Sequence, residues 1–146
     1  MSCTSLKEMN LSGCANLTSI GGWWGNGAFS GCTSLTTVNL SGCANLESIG
    51  INSFYGCSKL PNLDLSGCAN LTSIGEKAFM SCTSLKEMNL SGCANLTSIG
   101  NDAFDNCVTL KTVDLSQCNK LTNDLIMRFT RPALPRSSTI KRFSKR

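Results

Sequence analysis

The spacing of the cysteines constrains this chain more than any other feature. Ten of them fall at positions 3, 14, 32, 43, 57, 68, 82, 93, 107 and 118, so the gaps run 11, 18, 11, 14, 11, 14, 11, 14, 11. Gaps of 11 and 14 make a unit of about 25 residues, with four extra residues in the first copy. A period of this size belongs to a solenoid, whose units cannot bury their apolar sides alone and must stack on their neighbours. The cysteines therefore mark repeat columns, and the thiols are expected to be buried, reduced and packed as small hydrophobes. The chain has no His and no C-x-x-C, so a zinc site is not expected.

The other columns agree. Leu6, Leu35, Leu60, Leu85 and Leu110 open the units; Met9, Val38, Leu63, Met88 and Val113 follow; then come Leu11, Leu40, Leu65, Leu90 and Leu115. This L-x-x-L-x-L alternation is the pattern of a strand with one buried face. Gly13, Gly42, Gly67 and Gly92 are expected to turn the chain after each strand. The later Leu and Ile, three apart, and the Phe return to the same core from the arc. The expected fold class is α/β: one right-handed solenoid of five repeats over residues 1–123. Its strands would pair in parallel on a concave face, about 4.8 Å apart, with short helical or irregular turns outside.

Two stretches carry a resemblance to a known family. The Asn95-Leu-Thr-Ser-Ile-Gly-x-x-Ala103-Phe104-x-x-Cys107 stretch is similar to the BspA-like class of leucine-rich-repeat surface proteins. The L-x-x-L-x-L-S-x-C-x-x-L-T stretch, as at Leu60–Thr72, resembles the cysteine-containing class found in F-box-type substrate receptors. The resemblance covers Cys3 to about Leu121. It implies a non-enzymatic protein–protein interaction scaffold whose concave face takes the partner, an intracellular receptor or adaptor fragment. The alternative it implies is a cell-surface adhesion repeat of BspA-like type.

Charge divides the chain. Residues 1–123 carry six Lys against eight Asp and Glu, a net −2, whereas residues 124–146 carry seven Lys and Arg against Asp124, a net +6. With Pro132, Pro135 and two serines among the bases, residues 124–146 are expected to form a disordered basic tail. Such a tail could touch nucleic acid or anionic membrane, but without interleaved stacking aromatics a solvated segment is the stronger reading.

No stretch approaches the roughly 20 apolar residues of a spanning helix. Met1-Ser2-Cys3-Thr4 lacks the features of a secretory leader, so a cytoplasmic location is expected at face value. Met1–Gly21 is, however, identical to Met80–Gly100. That identity leads to the expectation that the chain is part of a longer array, open to self-association through its uncapped first unit.

The candidate binding residues lie between the buried leucines. One outward column is Glu8, Thr37, Asn62, Glu87 and Thr112; the next is Asn10, Asn39, Asp64, Asn89 and Asp114. A third is the serine column Ser12, Ser41, Ser66, Ser91 and Ser116. These would line the concave face, although Asn, Asp and Ser also hydrogen-bond their own turns. Trp23 and Trp24, in the four-residue insertion, are candidate anchors for a partner; the stronger reading is that one or both rings fold back over the open first unit. No nucleophile elbow, phosphate-cradling loop or carboxylate pair is present, so no catalytic, cofactor or metal residues are expected.

Overall fold

The computed structural model describes residues 3–22, 24, 27–123, 125, 126 and 135–142. Each of the first four coils contributes two short strands and the fifth, among the described residues, one. The first of each pair are β1 (Glu8–Asn10), β3 (Thr37–Asn39), β5 (Asn62–Asp64), β7 (Glu87–Asn89) and β9 (Thr112–Leu115). The second are β2 (Ser19–Ile20), β4 (Ser48–Ile49), β6 (Ser73–Ile74) and β8 (Ser98–Ile99). A last strand, β10, spans Thr139–Arg142. All the pairings are parallel, and register follows the repeat: Met9 lies beside Val38, Leu63 beside Met88, Met88 beside Val113.

The helical turns expected from the sequence are not the outer layer. The serine–isoleucine segments form a second parallel ladder, β2-β4-β6-β8, and the arcs between ladders are turns. Among the described residues, helical backbone occurs only at 123, 125 and 126. The architecture is thus a parallel-sheet β-solenoid, and the α in the expected class is a loose label. Two-residue strands suffice because the Leu or Ile of each coil is already placed by the coil before it.

Between the ladders runs one continuous core. Leu35, Leu60, Leu85 and Leu110 are fully buried, as are Leu65, Leu90 and Leu115, each such side chain stabilising by roughly 1.5–3 kcal/mol. Phe29, Phe54, Phe79 and Phe104 stack along the axis with ring centroids 5.4–5.5 Å apart. The expected buried, reduced thiols are present from the second coil onward: Cys32 through Cys118 are free and buried. Six of them also tie coils together. Cys57, Cys82 and Cys107 donate to the carbonyl oxygens of Phe29, Phe54 and Phe79, and Cys43, Cys93 and Cys118 to those of Leu11, Leu65 and Leu90, at 3.1–3.3 Å. The columns are cysteine because a thiol fills an apolar slot and still supplies a weak donor.

Two features depart from strict repetition. The concave strands form two sheets, β1-β3 and β5-β7-β9-β10, with no ladder between β3 and β5. The break has a residue behind it. Thr36, Lys86 and Lys111 donate their amide N–H to the carbonyls of Lys7, Pro61 and Lys86, each at 2.8 Å. Pro61 occupies the same column and has no N–H to give to Thr36. Further along, Leu11, Leu65 and Leu90 donate to Asn39, Asn89 and Asp114, and among the described residues no such bond joins Leu40 to Asp64.

The second departure lies in the described part of the basic segment, residues 135–142, the rest of the expected disordered tail lying largely outside the described residues. Residues 139–142 pair with β9, Thr139 beside Thr112 and Ile140 beside Val113. Lys141 forms an ion pair with Asp114 at 3.7 Å, and the Ser138 hydroxyl donates to the Leu110 carbonyl. Three of the tail's seven bases, Arg136, Lys141 and Arg142, thus lie in a described segment whose strand extends the concave sheet by one rung.

The glycine column also differs in mechanism from coil to coil. Gly13 and Gly42 adopt φ of 76° and 83°, as expected of a turn only glycine makes easily. Gly92 is required by space instead: a Cβ there would lie 1.7 Å from the Ser66 carbonyl oxygen.

Candidate functional site

On the concave face, the outward columns separate into two kinds. Asn10, Asn39, Asp64, Asn89 and Asp114 each accept, through Oδ1, the backbone N–H two residues on, from Ser12, Ser41, Ser66, Ser91 and Ser116, at 2.9–3.0 Å. This column builds the turn that ends each strand. Of the two uses open to these residues, partner binding and their own turns, the structure shows the turn use in all five coils. Asp114 does more, because it also holds Lys141. Partial burial works to raise its carboxyl, but hydrogen bonds from Ser116 and the Lys141 ammonium outweigh this, and the group sits below the usual carboxylate value.

The other column is uncommitted. Glu8, Thr37, Asn62 and Glu87 are exposed and Thr112 half-buried, and among the described residues none of these side chains makes a hydrogen bond or ion pair within the chain. Register places Glu8 beside Thr37 and Asn62 beside Glu87 and then Thr112. The result is a row of small polar and acidic groups, one per coil, interrupted at Pro61. Lys7, Lys86 and Lys111 precede the strands and are exposed, so the row carries both signs of charge at its edge.

In the insertion, Trp23 lies outside the described residues. Trp24 is 94% exposed, so its ring does not cover the first coil, contrary to one of the two expectations for this loop. Gly27 closes the insertion against the next coil, where a Cβ would lie 2.0 Å from the Asn52 carbonyl oxygen. Beside the insertion, Gly21, Gly22, Ile51 and Glu76 line a shallow trough of about 290 Å³ on the outer ladder. The trough is lined by the recurring Ser-Ile-Gly segments of successive coils, Ser48-Ile49-Gly50 and Ser73-Ile74-Gly75 among them.

The buried thiols are held protonated: burial pushes Cys57, Cys93 and Cys107 up to about 12 and Cys68 and Cys118 up to about 11. Low thiolate content makes them poor nucleophiles and poor metal ligands. Among the described residues, no group of three or more Cys, Asp or Glu is placed to hold a metal ion, and no helix is long and apolar enough to cross a membrane.

The BspA-type leucine-rich-repeat region matches residues 1–129 in six copies. The chain belongs to the BspA-type leucine-rich-repeat family. Its fold is shared with a leucine-rich repeat protein from Bacteroides ovatus ATCC 8483, at 26% identity and a TM-score of 0.65 over 98% of this chain. The chain spans 38% of that protein's length. It is also similar to the T. pallidum leucine-rich repeat protein TpLRR, at 19% identity and a TM-score of 0.54, over 92% of this chain and 81% of the other. At that identity the similarity is one of fold alone. A search of curated proteins finds no match. Of the two classes suggested by the sequence, the BspA-like one is the family, and the match gives no support to the expected cytoplasmic location.

Proposed function

We propose that this BspA-type chain is a non-enzymatic recognition module of a cell-surface or secreted array, binding a protein ligand across its concave sheet. One observation carries the reading: Glu8, Thr37, Asn62, Glu87 and Thr112 form an outward row that the fold itself does not use. The row offers one polar group per coil, and its chemistry varies from coil to coil while the flanking leucines at Leu6, Leu35, Leu60, Leu85 and Leu110 do not. Without an aromatic or Arg anchor in the row, affinity per coil is modest, and strength comes from the number of coils engaged. Trp24 stands outside the row as a second contact. The buried, protonated thiols suit an oxidising compartment, because a protonated and inaccessible thiol oxidises slowly.

The test places bulk on the row. Thr37→Arg and Asn62→Arg together are expected to leave the thermal melt unchanged and to abolish binding to a panel of purified extracellular-matrix and cell-surface proteins. Val108→Arg, at a residue 59% exposed away from the concave strands, is the control and is expected to bind as the original chain does. Binding that survives the double change and is lost in Trp24→Ala transfers the site to the insertion.

A further inference from the structure

The trough on the outer ladder lies where the chain departs furthest from its own repeat. The insertion enters it at Gly21 and Gly22. Trp24, 94% exposed, is rooted at the rim: its backbone nitrogen and oxygen lie 4.0 Å from where a Cβ at Gly22 would stand. Behind the floor, Ser53 takes the place that Ala28, Ala78 and Ala103 hold in the other coils. It is fully buried, and its hydroxyl, shared between two acceptors, lies 2.9 Å from the Ile20 carbonyl and 2.8 Å from that of Gly50. This brace ties together the two coils at the insertion's end of the trough, so the site is held in shape before any ligand arrives.

Three kinds of group line it. Ile49, Ile74 and the backbone of Gly50 and Gly75 make an apolar floor. Ser48, Ser73 and Ser98 bring one hydroxyl per coil, and among the described residues none of these hydroxyls is bonded within the chain. The amide N–H groups of the lining residues Gly22, Ile51 and Glu76 are likewise unpaired there. An apolar floor edged by repeated donors fits a flat ring that is apolar on its faces and polar around its rim. A pyranose has that character, with C–H groups on its faces and hydroxyls at its edge, and an exposed indole suits the face turned to solvent. Charge narrows the class. Glu76 is ion-paired with Lys77 at 2.9 Å, so the pair leaves the trough without net charge and an anionic sugar gains no partner. The volume of about 290 Å³ stands at the lower end for small-ligand sites and suits one ring.

We propose that the trough beside Trp24 binds a neutral pyranose, the terminal residue of a glycan. Ser48, Ser73 and the amides of Ile51 and Glu76 donate to its oxygens, and Trp24 stacks on its outer face. The site lies on the other ladder from the Glu8–Thr112 row and does not rest on that row's ligand.

The test titrates the full chain with methyl glucoside, methyl galactoside, methyl mannoside and N-acetylglucosamine to tens of millimolar. Saturation-transfer NMR reads the sugar protons, and tryptophan emission reads the insertion, since Trp23 and Trp24 are the chain's two tryptophans. At least one of the four is expected to give a saturable signal in both, and glucuronate and galacturonate to bind more weakly than their neutral counterparts. Trp24→Ala, and separately Ser48→Ala with Ser73→Ala, are expected to weaken binding at least about fivefold, the loss typical of an anchor residue, with an unchanged melt. No saturable signal from any of the four sugars overturns the proposal. So does binding that both variants leave intact, and a preference for the two acids overturns the neutral class.

Discussion

The two ladders of this solenoid are built from the same coils and obey different rules. The outer one, β2-β4-β6-β8, runs unbroken on two residues per coil, whereas the concave one, with longer strands, is divided between β3 and β5. Strand length is therefore not what keeps a ladder whole. In the outer ladder each coil ends on a glycine whose backbone lies against the coil before it; a Cβ at Gly50, Gly75 or Gly100 would fall 2.4–2.6 Å from that backbone. Close approach keeps donor and acceptor in reach. In the concave ladder Pro61 lacks a donor and, among the described residues, no bond joins Leu40 to Asp64, yet the core beneath, Leu60, Leu63 and Leu65, remains buried. Side-chain packing holds the coils together, and the backbone bonds set how closely the edges follow one another.

The most severe way to break this contrast is to attack what the ladders share. Leu65→Asp buries a charge with no partner at a fully enclosed site, at a cost beyond about 4 kcal/mol, and is expected to abolish the cooperative circular-dichroism melt. A smaller break is selective. Gly75→Ala drives a methyl to 2.6 Å from the Ile51 nitrogen and is expected to cost about 1–3 kcal/mol, while Asn62→Ala on the concave strand stays within about 0.5 kcal/mol; chemical denaturation of the pair checks the difference.

The next prediction sharpens the contrast. Pro61→Lys returns a donor opposite Thr36, a gain of about 0.5–1.5 kcal/mol, and gives up about 0.4–1 kcal/mol of chain restriction in the unfolded state. The net change in stability is small, so the decisive reading is amide exchange: the restored N–H at position 61 is expected to be protected like that of Lys86. Exchange as fast as in an open loop would mean that something other than the proline divides the sheet.

The smallest effect lies at the rung that β10 adds. Asp114 is depressed in the folded chain, so its contribution is present above the ordinary carboxylate value of about 3.9 and is lost as pH falls through the lower folded value. Lys141 is more than half exposed, which keeps the pair's contribution at no more than a few tenths of a kcal/mol. Lys141→Ala is expected to lower the melting temperature slightly at neutral pH and to have no effect once Asp114 is protonated; an equal loss at both pH values would assign the role to packing by the lysine stem.

These differences mark where the sequence could be read and where it could not. The leucine columns announce the buried face because alternation and burial have the same cause, and the registers of β1 with β3, β5 with β7 and β7 with β9 follow from them. The outer ladder escapes that reading, since Ser19-Ile20 or Ser73-Ile74 is too short to show a period, and only short helical or irregular turns are expected there. β10 escapes it for another reason. Thr139–Arg142 lacks the apolar pair of the other concave strands, with Arg142 at the register of Leu115, so backbone pairing adds a rung that side-chain pattern does not advertise. The Asn and Asp column illustrates a third limit: Asn39 and Asp64 have the right types for a binding surface or a turn, and only the bond from the N–H two residues on decides. The exposed Trp24 was legible as a residue and not as an orientation.

The thiol bonds carry a consequence for ageing in an oxidising milieu. Each of six cysteines links one coil to its predecessor, so converting a thiol to a sulfenate or sulfinate would injure one joint and spare the rest. Cys3 and Cys14 stand exposed and the other eight thiols are buried, so the joints made by buried thiols are the ones shielded from such wear.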